Sequence, residues 1–163
     1  KALKEGRDRV HSMALVHQMF YQGDDEAASI EANKYVEKLC QSLMRSYGGD
    51  EQGVKLNIDV KPMMLDIDRA TLVGLILNEL VSNSLKYAFN GSHTKELSVS
   101  LRSGSKNHIL QISDTGTGKK TDERNPDSFG LKLVESMTKK LKGKISTVTE
   151  NGYSTRIEFP KTN

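Results

Sequence analysis

A carboxylate and a carboxamide sit on the apolar side of one helical stretch, where chemistry rather than packing would place them. At about 100° per residue, Leu72, Ile76, Glu79 and Asn83 share one narrow stripe, and Lys86 and Tyr87 continue it. Burying an unpaired carboxylate costs several kcal/mol, so Glu79 and Asn83 need partners there, either protein groups or a ligand with its metal. Taken alone, the stripe also reads as an amphipathic helix whose apolar face frays toward an exposed end. A second carboxylate repeats the anomaly. Leu110 and Ile112 point to one face of a strand, and period two puts Asp114 on that face at the strand's end. Thr115-Gly116-Thr117-Gly118 follows, with glycines that permit close backbone approach and positive φ. An Asp before such a turn otherwise serves as a loop cap. In the third feature Ser128 and Phe129 precede Gly130, Leu131 and Lys132. Gly130 opens a helix that Ser128 can cap, leaving backbone N–H groups to face an anion such as phosphate. An ordinary Ser-capped helix start is the plain alternative. None of the three is specific singly; their order and separation carry the signal.

Positioning these residues requires a helix, a strand pair and a second helix, and the surrounding pattern supplies them. Leu3, Gly6, Val10, Met13, His17 and Phe20 alternate at spacings of three and four, the seam of a helix that pairs with another helix. Gly23, Asp24 and Asp25 break it, which sets a soft boundary at Gly23. A second helix carries Val36, Leu39, Cys40, Leu43, Met44 and Tyr47 and ends near Gly48 and Gly49. Residues 54–60 alternate with period two, Pro62 interrupts, and 65–67 give a short strand before Asp68, the expected N-cap of the helix that runs to about Phe89. Leu97, Val99 and Leu101 form a strand, 103–107 a turn, and 109–114 its antiparallel partner. Leu131, Val134, Met137 and Leu141 mark the last helix, with Gly143 where a terminating glycine belongs, and two strands flank Asn151-Gly152. The order predicts an α+β fold, a two-layer sandwich with helices covering one face of a mixed, mostly antiparallel sheet.

Composition narrows the function classes. The 163 residues suit one domain with a short appendage, and the single cysteine, Cys40, cannot form an internal disulfide. The absence of a long apolar run, a leader or a Cys/His cluster points to a soluble intracellular, cytoplasmic protein without zinc or direct membrane contact. The 24 basic and 21 acidic side chains leave a net charge of +3 scattered along the chain, so no nucleic acid is implied as partner. The basic stretch from Lys132 to Lys144 reads as a solvated helix face with cations in its last turn.

The ordered set resembles the Bergerat-fold motifs of the GHKL superfamily, shared by histidine kinases, DNA gyrase, Hsp90 and MutL. The N box would be NELVSNSLKYAFNG (78–91), the G1 box DTGTG (114–118) and the G2 box SFGLKLV (128–134), within a match from Val54 to Pro160. Glu opening the N box, with RVHSMALVHQMFYQ and YVEKLCQSLMRSYG ahead of it, is similar to the HWE-related sensor histidine kinases. The resemblance implies that residues 1–23 are the second helix of a dimerisation and phosphotransfer element, and that 24–163 form the catalytic ATP-binding domain. It implies an acceptor His on a helix upstream of Lys1, a homodimer through 1–21, and a response-regulator receiver domain as recipient of the phosphoryl group. Asp114 would accept the adenine amino group and select ATP, with Gly116 and Gly118 letting backbone approach the base. Asn83 would hold Mg²⁺, Lys86 contact phosphate and Tyr87 line the site. Ser128, Phe129, Gly130, Leu131 and Lys132 would bring the helix start to the γ-phosphate, and Glu79, the candidate catalytic residue, matches the general-base position of the superfamily's ATPases and would polarise a nucleophile. Thr155, on the inward row with Ile157 and Phe159, would act through water.

Several positions depart from the family pattern. Lys119-Lys120 replaces the common Pro, the lid to Phe129 is short, and Tyr153 stands where Thr often follows the hairpin Gly. His11 and His17 are read as packed structural residues rather than acceptors, and His93 and His108 as solvent-facing. Two other classes remain open: a nucleotide-responsive binding module without phosphoryl transfer, and a serine kinase of the same superfamily.

Overall fold

Which face of the sheet is covered follows from the alternation along its strands. The computed structural model describes residues 2–21, 29–116, 129–150 and 152–161. In chain order the elements are α1 (Ala2–Tyr21), β1 (Ser29–Glu31), α2 (Ala32–Tyr47), β2 (Lys55–Val60), β3 (Met64–Asp66), α3 (Ile67–Tyr87), β4 (Glu96–Ser103), β5 (Asn107–Asp114), α4 (Phe129–Lys140), β6 (Lys144–Val148) and β7 (Tyr153–Pro160). The main sheet runs β2-β4-β5-β7-β6, with β2 parallel to β4 and the other pairs antiparallel. Register stacks like on like. Val99 faces Ile112, Leu101 faces Leu110, and Leu110 in turn faces Ile157, so one face carries a continuous apolar row. These residues are buried, while Ser98, Ser100 and Arg156 occupy the other face.

Helix α3 lies at the centre of the helical layer, against α1, α2, α4 and β5. Its stretch from Val73 to Ser82 is buried without interruption, wider than a one-sided stripe, because helices flank it as well as the sheet. Each fully buried aliphatic side chain there, such as Ile76 or Leu77, contributes about 1.5–3 kcal/mol. The N-cap is Asp66 rather than Asp68: its carboxylate accepts from the Arg69 amide at 2.8 Å, two residues earlier than expected, because the chain turns directly out of β3. Strand β1 was not legible in the sequence. It owes its conformation to pairing with β3, Ile30 opposite Leu65.

Other expectations are corrected locally. At the end of α4 the left-handed residue is Lys142, with φ of 54°, while the Gly143 amide returns to the Thr138 carbonyl at 2.9 Å. His108 is not solvent-facing but buried. Period two places it on the core row with Leu110 and Ile112, its ring tilted against Phe159 and its Nδ1 2.9 Å from the Ser103 hydroxyl. His93 is exposed. His11 and His17 are exposed in this single chain rather than packed, and His11 Nε2 lies 3.2 Å from the Ser42 hydroxyl of α2. Helix α1 docks on α2 and α3 by the face carrying Arg9 and Leu15, leaving Leu3, Val10 and Met13 of the expected seam exposed. The Phe20 side chain, the boundary at Gly23, and the stretch holding Gly118, Lys119, Lys120 and Ser128 lie outside the described residues. No described helix is long and apolar enough to cross a membrane.

Candidate functional site

The site is organised along α3, from Glu79 to its C-terminal end. Near that end Asp114 closes β5 on the covered face, 5% exposed. Its Oδ2 accepts from the Ser84 hydroxyl at 2.6 Å, and its Oδ1 from the Gly116 amide at 3.1 Å and the Tyr153 amide at 3.3 Å. Three donors from α3, the following loop and β7 thus aim one carboxylate. Gly116 passes so close to the end of α3 that a Cβ there would stand 2.5 Å from the Ala88 carbonyl oxygen. Glycine is required for that approach. On β7 Thr155 pairs with Ile112 and is 1% exposed, yet its hydroxyl has no hydrogen-bond partner among the described residues. Buried hydroxyls are ordinarily paired, so Thr155 has capacity for a water or ligand atom beside Asp114.

Five residues earlier on α3, roughly 7–8 Å along the axis at the usual rise, Glu79 is 6% exposed. Its carboxylate is gripped by Arg9 of α1, Nε to Oε1 at 2.5 Å and Nη2 to Oε2 at 2.9 Å. Arg9 also lies over the Phe129 ring, 5.2 Å from its centroid. A Cβ at Gly130 would come 2.8 Å from Glu79 Oε2 and 3.8 Å from Asn83 Nδ2, so the first turn of α4 rests on these two side chains. Helix amides that lack intrahelical partners therefore start beside Glu79 and Asn83.

Most of the sequence-predicted residues are accordingly brought together: Asp114, Gly116 and Thr155 at one end, Glu79, Asn83, Phe129 and Gly130 at the other. Lys86 is half-buried with its Nζ 4.9 Å from the centroid of the Tyr47 ring, and Tyr87 is half-buried beside it in sequence. Leu131 packs partly into the core, whereas Lys132 is exposed. Gly118 and Ser128 cannot be placed, lying outside the described residues. Sequence reasoning missed Ser84 and Arg9. Ser84 was detectable in principle, one position past Asn83 on the helix and turned toward the strand layer. Arg9 carried no local signal, since its partner lies seventy residues away.

The arrangement is that of a nucleotide-binding α+β ATPase fold. A model described as histidine kinase-, DNA gyrase B- and HSP90-like ATPase matches residues 68–163, and one for histidine kinases, HisKA_2, matches 1–47. The chain belongs to the histidine kinase-, DNA gyrase B- and HSP90-like ATPase family. It is 28% identical over 141 residues to the sensor histidine kinase PdtaS of Mycobacterium tuberculosis, a match covering 84% of this chain and 27% of that protein. PdtaS of Mycolicibacterium smegmatis is 27% identical over the same length. The chain thus spans about a quarter of the curated relatives it matches. The histidine kinase domain of the Erythrobacter litoralis EL346 blue-light activated histidine kinase superposes with a TM-score of 0.84 at 18% identity, over 96% of this chain and 74% of that one. The likeness extends through α1, so the expected fold class holds for the helix as well as the sandwich.

Proposed function

We propose that this chain is the ATP-binding catalytic part of a sensor histidine kinase, in which the γ-phosphoryl group of ATP passes to a His on a helix preceding Lys1 and then to a response-regulator receiver domain. The observation that carries this reading is the two-ended site on α3. A buried carboxylate held by three described donors, with a Thr155 hydroxyl that has no partner among the described residues, suits an adenine edge, and a helix start resting on Glu79 and Asn83 suits phosphate.

Each residue then has a definite task. Asp114 accepts from the exocyclic amine of adenine, a donor that guanine does not present at that position, and so favours ATP. Gly116 lets the backbone pass beneath the base. Phe129, Gly130, Leu131 and Lys132, with Ser128 and Gly118 from the adjoining loop, bring helix N–H groups toward the terminal phosphate. Lys86 contacts phosphate after leaving the Tyr47 ring, and Tyr87 lines the cavity. The side-chain oxygen of Asn83, beside the first turn of α4, fits a divalent cation that is otherwise liganded by phosphate and water. Mg²⁺ there would neutralise phosphate charge. Glu79 is the candidate base, holding the imidazole N–H while the opposite ring nitrogen forms the N–P bond and ADP leaves with the β,γ-bridging oxygen. Such transfer depends mainly on positioning and charge neutralisation.

Residues 1–23 fit the dimerisation and phosphotransfer helix, and 24–163 the catalytic domain. The exposed Leu3, Val10 and Met13, spaced by seven and three on α1, support a helix–helix homodimer contact. A cytoplasmic location fits a protein supplied with ATP.

The test uses the full-length protein with γ-labelled ATP and Mg²⁺. The expected product is an acid-labile, base-stable phosphoryl group on a His upstream of this chain, and chase to a receiver domain. ATP binding with no labelling, or acid-stable Ser labelling of a partner, would replace the kinase assignment by one of the other two classes.

A further inference from the structure

Glu79 is the buried carboxylate on which the phosphate end of the site turns, and the side chain gripping it comes from α1, outside the sandwich. A guanidinium presents a rigid fork matched to the two oxygens of a carboxylate. Arg9 engages both, at 2.5 and 2.9 Å, and its side chain is itself only 22% exposed. The same Glu79 Oε2 that receives Arg9 Nη2 is the atom a Cβ at Gly130 would crowd at 2.8 Å. The carboxylate is thus pinned between a cation from α1 and the backbone of α4, with the Arg9 guanidinium extending onto the Phe129 ring. Three helices meet at one ionisable group.

We propose that Arg9 is a positioning residue for Glu79, holding its carboxylate aimed at the reacting end of the nucleotide, so that the site is complete only while α1 is docked. This deepens the kinase reading and rests on it for the role of Glu79. The physical basis is that an ionised carboxylate this buried needs a compensating cation. Withdrawal of α1 removes that cation and leaves Glu79 to turn away or draw in water. The arrangement makes the candidate base conditional on the placement of the helix that the kinase reading also joins to the acceptor helix.

Two measurements test it together. In the full-length protein, Arg9→Ala is expected to lower the rate of phosphohistidine formation about tenfold or more at saturating ATP, because it misplaces a reacting group. ATP and ADP affinity should change by less than about threefold, each tenfold in affinity corresponding to 1.4 kcal/mol. Arg9→Lys, which keeps charge without the fork, should recover part of the rate, and Arg9→Ala should cost nothing further in a Glu79→Gln background. In parallel, thermal unfolding of this chain is compared for Arg9→Ala, Glu79→Gln and the double variant. Arg9→Ala should lower Tm by leaving a buried charge unpaired, and adding Glu79→Gln should restore much of the loss.

Additive Tm shifts would overturn the pairing. A rate unchanged or raised by Arg9→Ala, with Glu79→Gln still impaired, would overturn the positioning role. If no variant and no wild-type protein forms phosphohistidine, the kinase reading fails while the Tm cycle still decides whether Arg9 and Glu79 act as a pair.

Discussion

The two ends of the site are built on different plans. Around Asp114 the described donors come from within the sandwich: Ser84 of α3, the Gly116 amide, the Tyr153 amide of β7. Around Glu79, itself on α3, the neighbours come from two further helices, α1 and α4, and α1 belongs to the segment matched by a separate family model. A sheet-anchored carboxylate is preorganised by the ladder that places it. A carboxylate held by a docked helix is only as fixed as the docking. The described bonds at the Asp114 end therefore do not involve α1, whereas those at the Glu79 end do; under the proposed kinase reading, this would let nucleotide stay bound while phosphoryl transfer waits on docking.

Breaking the preorganised end should have the largest effect on binding. Asp114→Asn replaces an acceptor with a side chain that must also donate, and it unsettles the bonds to Ser84, Gly116 and Tyr153. ATP and ADP affinity should both fall by about a hundredfold or more, as expected when a charge-assisted hydrogen bond is lost and a donor faces a donor. Calorimetric titration checks this, and unchanged affinity would remove Asp114 from the base site. Gly130→Ala probes the other end by adding a Cβ 2.8 Å from Glu79 Oε2. Its effect should fall on phosphohistidine formation, by up to about a hundredfold for a displacement of order 1 Å, with ADP affinity nearly intact. If both substitutions weaken ADP equally, the two ends are not independent.

Ser84→Ala sharpens the contrast with a smaller effect. It removes one of the three described donors to Asp114 and leaves the two backbone amides. Loss of a hydrogen bond to a charged group costs about 1.5–3 kcal/mol. With two donors remaining the lower figure applies, so nucleotide affinity should drop about tenfold, measured by the same titration. The rate at saturating ATP should stay near wild type, since the described side-chain hydrogen bond of Ser84 goes to Asp114 and not to Glu79.

The unequal legibility of the two ends follows from the same contrast. Asp114 was readable because period two is rigid: once Leu110 and Ile112 face inward, so does residue 114, and the register with Thr155 through Ile112 confirms it. Glu79 and Asn83 were readable as polar interruptions of a helical stripe. What that stripe could not reveal was the partner, because the periodicity of α3 is local and Arg9 reaches it only by tertiary docking. For the same reason β1 was missed, being a strand only by virtue of β3. His108 was misread for an opposite cause. Its neighbourhood of Ser, Gly, Lys and Asn looks like a turn, yet the strand begins at Asn107, and alternation then carries the imidazole inward.

His108 supplies the mildest test, because it occupies the far end of the row that Asp114 closes. Burial lowers the pKa of its imidazole below the ordinary value, and the positive charges of Arg69 and Lys161 lower it further. The folded protein thus prefers the neutral ring, whereas the unfolded chain takes up a proton near pH 6.5 or about that value. The unfolded state binds more protons below that point, so stability is fully present above it and declines as pH falls from there through the lowered folded pKa. Unfolding followed between pH 8 and 5 should show this acid slope, and His108→Leu should flatten it while losing the contact to Ser103. Nucleotide affinity at pH 7.5 should not follow, because the row between His108 and Asp114 is filled by Leu110 and Ile112, packed apolar groups that relay no charge. A loss of ADP affinity in His108→Leu at that pH would mean that the sheet transmits strain along β5, and the Asp114 end would then be no more independent than the end that α1 completes.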